Sequence, residues 1–251
     1  MMLRPGSKRD ARPEKARKLR KDRARPVAQV APNARLSDGE YEFSPNLVVL
    51  SAPHSRQDDA LRECADAVVS RHVEAGRRGL VMCGAARGAG VSFVAANLAV
   101  AMADRGVSTL LVDANLRQPS LSDYIRPSAV PVSLEAHLRS GEGEFIDLIH
   151  EDVLPGLSLT YAGAAVADSQ ELLTGERFHA FVRRAMREFT CLVVDTPPSN
   201  RSADARVIAA AVGYAMIVAR RSTSYVDDVA KLRQELVQDG AVVVGTILNG
   251  A

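Results

Sequence analysis

The chain has 251 residues, 47% hydrophobic and 25% charged, with a formal net charge of +2. That composition suits a soluble globular protein and excludes collagen-like, low-complexity and wholly disordered chains. The longest apolar run, Val207 to Ala219, has 13 residues against the ~20 of a membrane-spanning helix, and three scattered cysteines (Cys64, Cys83, Cys191) form neither a disulfide framework nor a CxxC metal site.

The charge is uneven along the chain. Residues 1–25 hold eleven Lys/Arg and three acids, a net +8 that leaves −6 on the rest. Residues 1–40 contain few large apolar side chains, so we expect a disordered basic tail. No apolar signal region follows the basic start, so the expected compartment is the cytoplasm. Each Lys/Arg near an anionic leaflet contributes roughly 1 kcal/mol. Residues 1–25 are therefore read as a tether to an anionic membrane surface, placing the protein peripherally at the inner membrane; a plain solubilising tail is the simpler alternative. Without interleaved aromatics, nucleic acid is not the expected partner.

Beyond the tail, strand and helix signals alternate. Asn46 to Leu50 reads as a short strand or extended lead-in, and Asp58 to Glu74 as a helix. Leu80 to Cys83 reads as a buried strand entering a Gly-rich turn, followed by a helix from Ser92 to Asp104. Ser108 to Val112 is a strand ending at Asp113, and Leu134 to Leu138 and Glu144 to His150 are short helices. Leu157 to Tyr161 is a strand, Gln170 to Arg187 an amphipathic helix, and Cys191 to Val194 a strand stopped by Pro197-Pro198. Ala203 to Ala211 is helical, Ala215 to Ala219 a strand, Ser224 to Gln238 a helix and Val242 to Leu248 a last strand. Continuous apolar strands separated by helices predict a mostly parallel sheet buried on both faces, a three-layer, doubly wound α/β fold.

In such sheets ligands bind at the carboxyl ends of strands, here Gly84, Asp113 and Asp195. After Gly84 comes Ala85-Ala86-Arg87-Gly88-Ala89-Gly90-Val91-Ser92, running directly into a helix. A Gly-rich strand-to-helix turn is the shape of a phosphate-binding P-loop, whose backbone N–H groups and helix N-terminus receive phosphate oxygens. The full pattern ends G-K-[ST]; here valine occupies the lysine position. A tight Gly/Ala turn is the plainer reading of the loop alone.

The other strand ends add a resemblance. Leu110-Leu-Val-Asp-Ala-Asn-Leu-Arg-Gln-Pro119 resembles the "hhhDxDxR-x-P" element, and Leu192-Val-Val-Asp-Thr-Pro-Pro198 the "hhhDTPP" element, of bacterial tyrosine kinases. Ser169-Gln-Glu-Leu-Leu173 resembles their "P-x-E-L-L" segment and Gly245-Thr-Ile-Leu-Asn249 their closing "G-x-V-L-N" strand. Asp59, Arg62 and Ala65 sit where that family carries an "E-x-x-R-x-x-R" oligomerisation motif. The resemblance covers residues 45–251 and implies a P-loop NTPase-like domain that takes ATP or ADP with Mg and controls capsule, slime or holdfast-type exopolysaccharide. It implies a transmembrane polysaccharide co-polymerase as partner, and homo-oligomers. Carried over residue by residue, it implies nucleotide contacts at Arg87, Gly88, Ala89, Gly90, Val91, Ser92, Phe93 and Asn249, the last at the adenine edge. It further implies catalytic carboxylates at Asp113 and Asp195, and Mg²⁺ held by Ser92, Asp113 and Asp195.

Departures from the pattern modify that expectation. Val91 removes the P-loop ammonium, Asn115 replaces the second aspartate of the DxD element, Asp59 and Ala65 alter the oligomerisation motif, and the dispersed tyrosines (Tyr41, Tyr124, Tyr161, Tyr214, Tyr225) do not reproduce the family's tyrosine cluster. The expected molecule is a pseudokinase-like regulator with weak or no ATP turnover. The alternatives are an active tyrosine autokinase or ATPase of the same pathway, and a partition-type ATPase. Arg87, the one cation in the loop, is a candidate stand-in for the lysine, and Arg117 a candidate for phosphate or subunit contact. His54, His72, His137, His150 and His179 show no carboxylate or cysteine at metal-ligand spacing, and Cys83, Cys191, Met82, Met102, Met186 and Met216 are read as core.

Overall fold

The computed structural model describes residues 41–129, 132–141 and 143–250. The basic segment 1–40, with its expected disorder and tether role, lies outside the described residues.

A seven-stranded sheet forms the centre, made of β2 (Gly79–Gly84), β3 (Thr109–Asp113), β5 (His150–Leu154), β6 (Leu157–Thr160), β7 (Cys191–Asp195), β8 (Tyr214–Arg220) and β9 (Val242–Asn249), with β1 (Tyr41–Phe43) and β4 (Ile125–Pro127) pairing separately. The spatial order is β5-β6-β3-β7-β2-β8-β9. All neighbours run parallel except β5 and β6. Helices α1 (Val48–Ser51), α2 (Arg56–Val68) and α3 (Val91–Ala103) cover one face; α4 (Leu134–Ser140), α5 (Ser169–Thr174), α6 (Glu176–Glu188), α7 (Asp204–Val212) and α8 (Val226–Gln238) cover the other. The expected three-layer architecture is what forms. The strands are apolar throughout because helices bury them on both faces.

The chain runs outward from β2 to β3 and β6, then returns to place β7 beside β2 and β8 beyond it. That reversal opens a crevice at the carboxyl ends of β2 and β7. Helix α3, eleven of whose thirteen residues are buried, anchors the loop that enters this crevice.

Four local expectations are corrected. Residues Asn46 to Leu50, expected as a short strand or extended lead-in, are a turn leading into helix α1 (Val48–Ser51), held by Asn97 of α3: its Oδ1 accepts from the Val49 N–H at 3.3 Å and its Nδ2 donates to the Asn46 carbonyl at 3.0 Å. The segment from Gln170 to Arg187 is two helices. Gly175 between them is extended (φ −70°, ψ 154°), and a Cβ there would lie 3.2 Å from the Leu172 carbonyl. Residues Glu144 to His150 give only a 3₁₀ turn, Phe145–Leu148, before the edge strand β5, which the acids Glu151 and Asp152 disguise as a loop. Helix α2 ends in a π-helical turn, Val69–Val73, which holds buried His72 with Nε2 2.8 Å from the Gly79 carbonyl.

Cys83 and Cys191 are core residues as expected, and burial pushes both thiols up to about 12. Met82, Met102 and Met216 are buried in the core, with Met186 partly buried against it.

Candidate functional site

A cleft of about 340 Å³ lies over the carboxyl ends of β2, β3 and β7, lined by the loop from Ala86 to Phe93 and by Asn115, Ser120, Tyr124 and Thr196 among others. The loop can turn there because Gly88 (φ +82°) and Gly90 (φ +85°) take left-handed backbone, which side chains resist. A Cβ on Gly90 would also sit 2.3 Å from Asn249 Nδ2, so any side chain there would displace the Asn249 amide. Gly90 then caps the N-terminus of α3, so the helix dipole and its free N–H groups face the cleft.

Beneath the loop, Ser92 Oγ donates to Asp195 Oδ2 at 2.6 Å and receives Ser120 Oγ at 2.8 Å. Asp195 is wholly buried, and its Oδ1 has no hydrogen-bond partner. Asp113 stands level with Asp195 on the neighbouring strand. Its Oδ1 accepts from the Asn115 N–H at 3.0 Å; its Oδ2 accepts from the N–H groups of Ser120 at 2.9 Å and Leu121 at 3.0 Å. Burial is the main force raising both carboxyls. It pushes Asp113 up to about 6 against the three N–H groups, and Asp195 well above the usual carboxylate range, where the Asp113 charge adds to it.

The sequence-predicted residues separate into groups. Arg87, Gly88, Ala89, Gly90, Val91, Ser92 and Phe93 all line the cleft. Val91 points its isopropyl group into packing: it is 8% exposed, belongs to the core beneath the loop, and its Cγ2 would meet a Cβ on Gly84 at 2.7 Å. Arg87 is exposed at the loop's outer turn. Asn115 is buried, with Oδ1 accepting from the Gln118 N–H at 3.1 Å, so it shapes the turn after β3. Asn249 lies against the loop itself, its Nδ2 donating to the Ala89 carbonyl at 3.2 Å.

Three expectations change. Arg117 is committed to an internal ion pair: its Nε lies 2.9 Å from Asp204 Oδ2, and the buried Asp204 also accepts from Ser169 Oγ at 2.7 Å. Arg62 is likewise paired within the domain, with Asp58 (2.7 Å), Asp104 (3.1 Å) and the Val49 carbonyl (3.2 Å), and Ala65 is fully buried. His54 does have carboxylates near it: its ligand atoms and those of Asp58 and Asp59 lie within 4.8 Å of one another. Both Asp58 oxygens are already taken, by Arg62 Nε and by the His54 N–H at 2.8 Å. With Ser55 accepting from the Asp58 N–H, this is the capped start of α2.

Sequence reasoning missed Arg220. Its Nη1 donates to the Gly88 carbonyl at 3.3 Å from the end of β8, bringing a second cation to the loop. The signal was available: a charge just past a buried strand adjacent to β2 must emerge on the crevice side. Ser120 and Tyr124 were missed for a different reason. They reach the cleft through the irregular turn after β3, whose path no periodicity encodes. The Tyr124 hydroxyl is raised by burial and by the nearby Asp195 and Asp123 charges.

A Mg-nucleotide fits these residues. The unpartnered, buried Asp195 Oδ1 is an acceptor awaiting a donor or a metal-bound water, Ser92 Oγ is a hard ligand beside it, and the loop with the α3 N-terminus would take phosphate oxygens. The cleft lacks an ammonium at position 91.

No family model matches the chain. It is 29% identical over 203 residues to the putative tyrosine-protein kinase EpsB of Ralstonia solanacearum, covering 81% of this chain and 27% of that protein. It is 26% identical over 203 residues to the putative tyrosine-protein kinase CapB of Staphylococcus aureus, covering 81% of this chain and 88% of that protein. The chain thus spans about a quarter of the EpsB-type relatives (27%). Among solved structures, the kinase domain of the Escherichia coli tyrosine kinase ETK superposes with a TM-score of 0.76 at 26% identity, over 82% of this chain and 80% of that one. The septum site-determining protein MinD of Pyrococcus horikoshii, complexed with Mg-ADP, superposes with a TM-score of 0.59 at 20% identity, over 68% of this chain and 69% of that one, a likeness of fold alone.

Proposed function

We propose, for a domain that belongs with the bacterial tyrosine kinases, that it is a nucleotide-responsive regulator of exopolysaccharide synthesis or export with weak or no ATP turnover. It would act in the cytoplasm, at the inner membrane, on a transmembrane co-polymerase. Among the described residues no helix is long and apolar enough to cross a membrane; in this reading residues 1–25 make contact with the membrane surface.

Val91 carries this reading. The residue at the lysine position is part of the hydrophobic core, not of the cleft's charge. Losing a charged hydrogen bond to phosphate costs about 1.5–3 kcal/mol, roughly ten- to a hundredfold in affinity. Losing a donor to transition-state charge costs about 10²–10³ in rate. Binding can survive the first loss, whereas turnover suffers the second. Ser92, Asp195 and the loop glycines supply what binding needs: backbone donors, a hydroxyl ligand and a carboxylate acceptor.

Calorimetry of Mg-ATP and Mg-ADP with the natural protein and with Val91→Lys tests the proposal. Weak binding that Val91→Lys strengthens, with no phosphotransfer by the natural protein, supports it. Phosphotransfer that disappears in Asp195→Ala overturns it.

Arg220 favours a second reading, an active autokinase or ATPase in which the loop's cation comes from β8. Turnover abolished by Arg220→Gln would select it. A partition-type ATPase has the shared fold alone in its support.

A further inference from the structure

Two hydroxyls meet in the cleft. Ser92 comes from the first turn of α3 and Ser120 from the turn after β3, and their oxygens lie 2.8 Å apart. A hydroxyl has one proton to give and two lone pairs that accept. Ser92 gives its proton to Asp195 and spends one lone pair on Ser120. Ser120 gives its proton to Ser92, and among the described residues no group donates to its oxygen. Ser92 therefore keeps one lone pair and Ser120 keeps two. Beside them stands the Asp195 carboxyl, wholly buried, with Oδ1 unpartnered. A hydrogen-bonded pair of serines needs no such oxygen next to it. A buried acceptor left open calls for a ligand.

The chemistry of the set selects that ligand. All three groups present hard oxygen, which Mg²⁺ prefers. Octahedral Mg²⁺ holds its oxygens at about 2.0–2.1 Å, which sets neighbouring ligands about 2.8–3.0 Å apart. The 2.8 Å between Ser92 and Ser120, ordinary for a hydrogen bond, is also that edge, so binding a cation asks little movement of either oxygen. Asp113 is the other carboxylate at these strand ends, but it is buried and spent: Oδ1 accepts from one N–H and Oδ2 from two. One of those two belongs to Ser120 itself, at 2.9 Å. Asp113 thus fixes the backbone of the residue whose hydroxyl reaches Ser92. Asn115 is committed as well, with Oδ1 accepting from the Gln118 N–H.

Resting on the nucleotide reading of the cleft, we infer that Ser120 supplies a second hydroxyl ligand to the Mg²⁺ of the bound nucleotide, beside Ser92 and in place of Asp113. Asp113 acts through it, as a positioning residue.

Calorimetry of ADP with the full chain tests this, in Mg²⁺ and in EDTA. The natural protein is expected to prefer Mg-ADP. Ser120→Ala is expected to lower the affinity for Mg-ADP about tenfold and to leave that for metal-free ADP unchanged, while Ser120→Thr keeps both natural values. Ser120→Cys exchanges a hard ligand for a soft one, so it should lose affinity in Mg²⁺ and recover it in Cd²⁺. The natural protein and Ser120→Ala, which carry the same three other cysteines, should show no such recovery. Equal losses with and without metal in Ser120→Ala would make Ser120 a shaper of the loop and overturn the inference. A cysteine variant indifferent to Cd²⁺ overturns it too, as does a natural protein that binds ADP equally in Mg²⁺ and in EDTA. A natural protein that binds no ADP under either condition overturns the nucleotide reading itself, and the inference with it. Thermal melting of each variant separates a lost ligand from a lost fold.

Discussion

Asp113 and Asp195 face each other across adjacent parallel strands, yet only Asp113 has both carboxylate oxygens tied to backbone N–H groups; Asp195 keeps one oxygen without a partner. The difference divides their work. Asp113 organises the turn from Asn115 to Leu121 and so places Ser120 at the cleft, while Asp195 is the carboxylate with capacity left for a ligand.

That arrangement predicts a pH dependence. Both carboxyls are raised in the folded protein, Asp113 to about 6 from 3.8 and Asp195 well above 3.8. The folded state therefore holds protons more tightly than the unfolded chain. The associated stability is fully present below about pH 4 and is lost as pH rises through the folded values. Asp195→Asn removes the buried charge and should raise the melting temperature by a few degrees near pH 8, with the gain shrinking toward pH 4. Thermal scans at both pH values check this, and a gain that grows toward acid would refute the assignment.

Restoring the ammonium should restore affinity. Val91→Lys is expected to tighten Mg-ATP binding by about ten- to a hundredfold, at some loss of stability because the valine it replaces is packed in the core. Unchanged affinity in a folded variant would mean that position 91 does not face the phosphates.

The two arginines near the loop should behave differently. Arg220 already donates to the Gly88 carbonyl, so Arg220→Gln should weaken nucleotide binding by about tenfold, the scale of one charged hydrogen bond. Arg87 is exposed on the outer turn, and Arg87→Gln should change affinity by less than about twofold. Titrations of both variants at low and high salt decide between them.

Arg117 should matter for stability and little for binding. Arg117→Ala leaves buried Asp204 with only the Ser169 hydroxyl among its side-chain partners. Because the arginine is itself 34% exposed, the expected loss is about 2 kcal/mol, below the 3–5 of a fully buried pair. Denaturant unfolding measures it, and a larger effect on nucleotide affinity than on stability would return Arg117 to the cleft.

Much of this protein was legible without coordinates, because buried parallel strands and glycine-bearing turns leave marks in local order. Leu80 to Cys83, Ser108 to Val112 and Cys191 to Val194 had to be strands buried on both faces, and the rule that ligands gather at their carboxyl ends led directly to Gly84, Asp113 and Asp195. Where a neighbour decides the outcome, local order was silent. Asn97 holds the turn at Asn46 and the helix from Val48 by bonding the Asn46 carbonyl and the Val49 N–H, and the acids of β5 hid an edge strand that needs only one paired side. Arg117, Arg62 and Arg220 are alike as letters. The tertiary structure gave the first two buried carboxylates and the third a loop carbonyl, since a guanidinium goes wherever the fold leaves an acceptor unsatisfied, and that depends on residues tens of positions away.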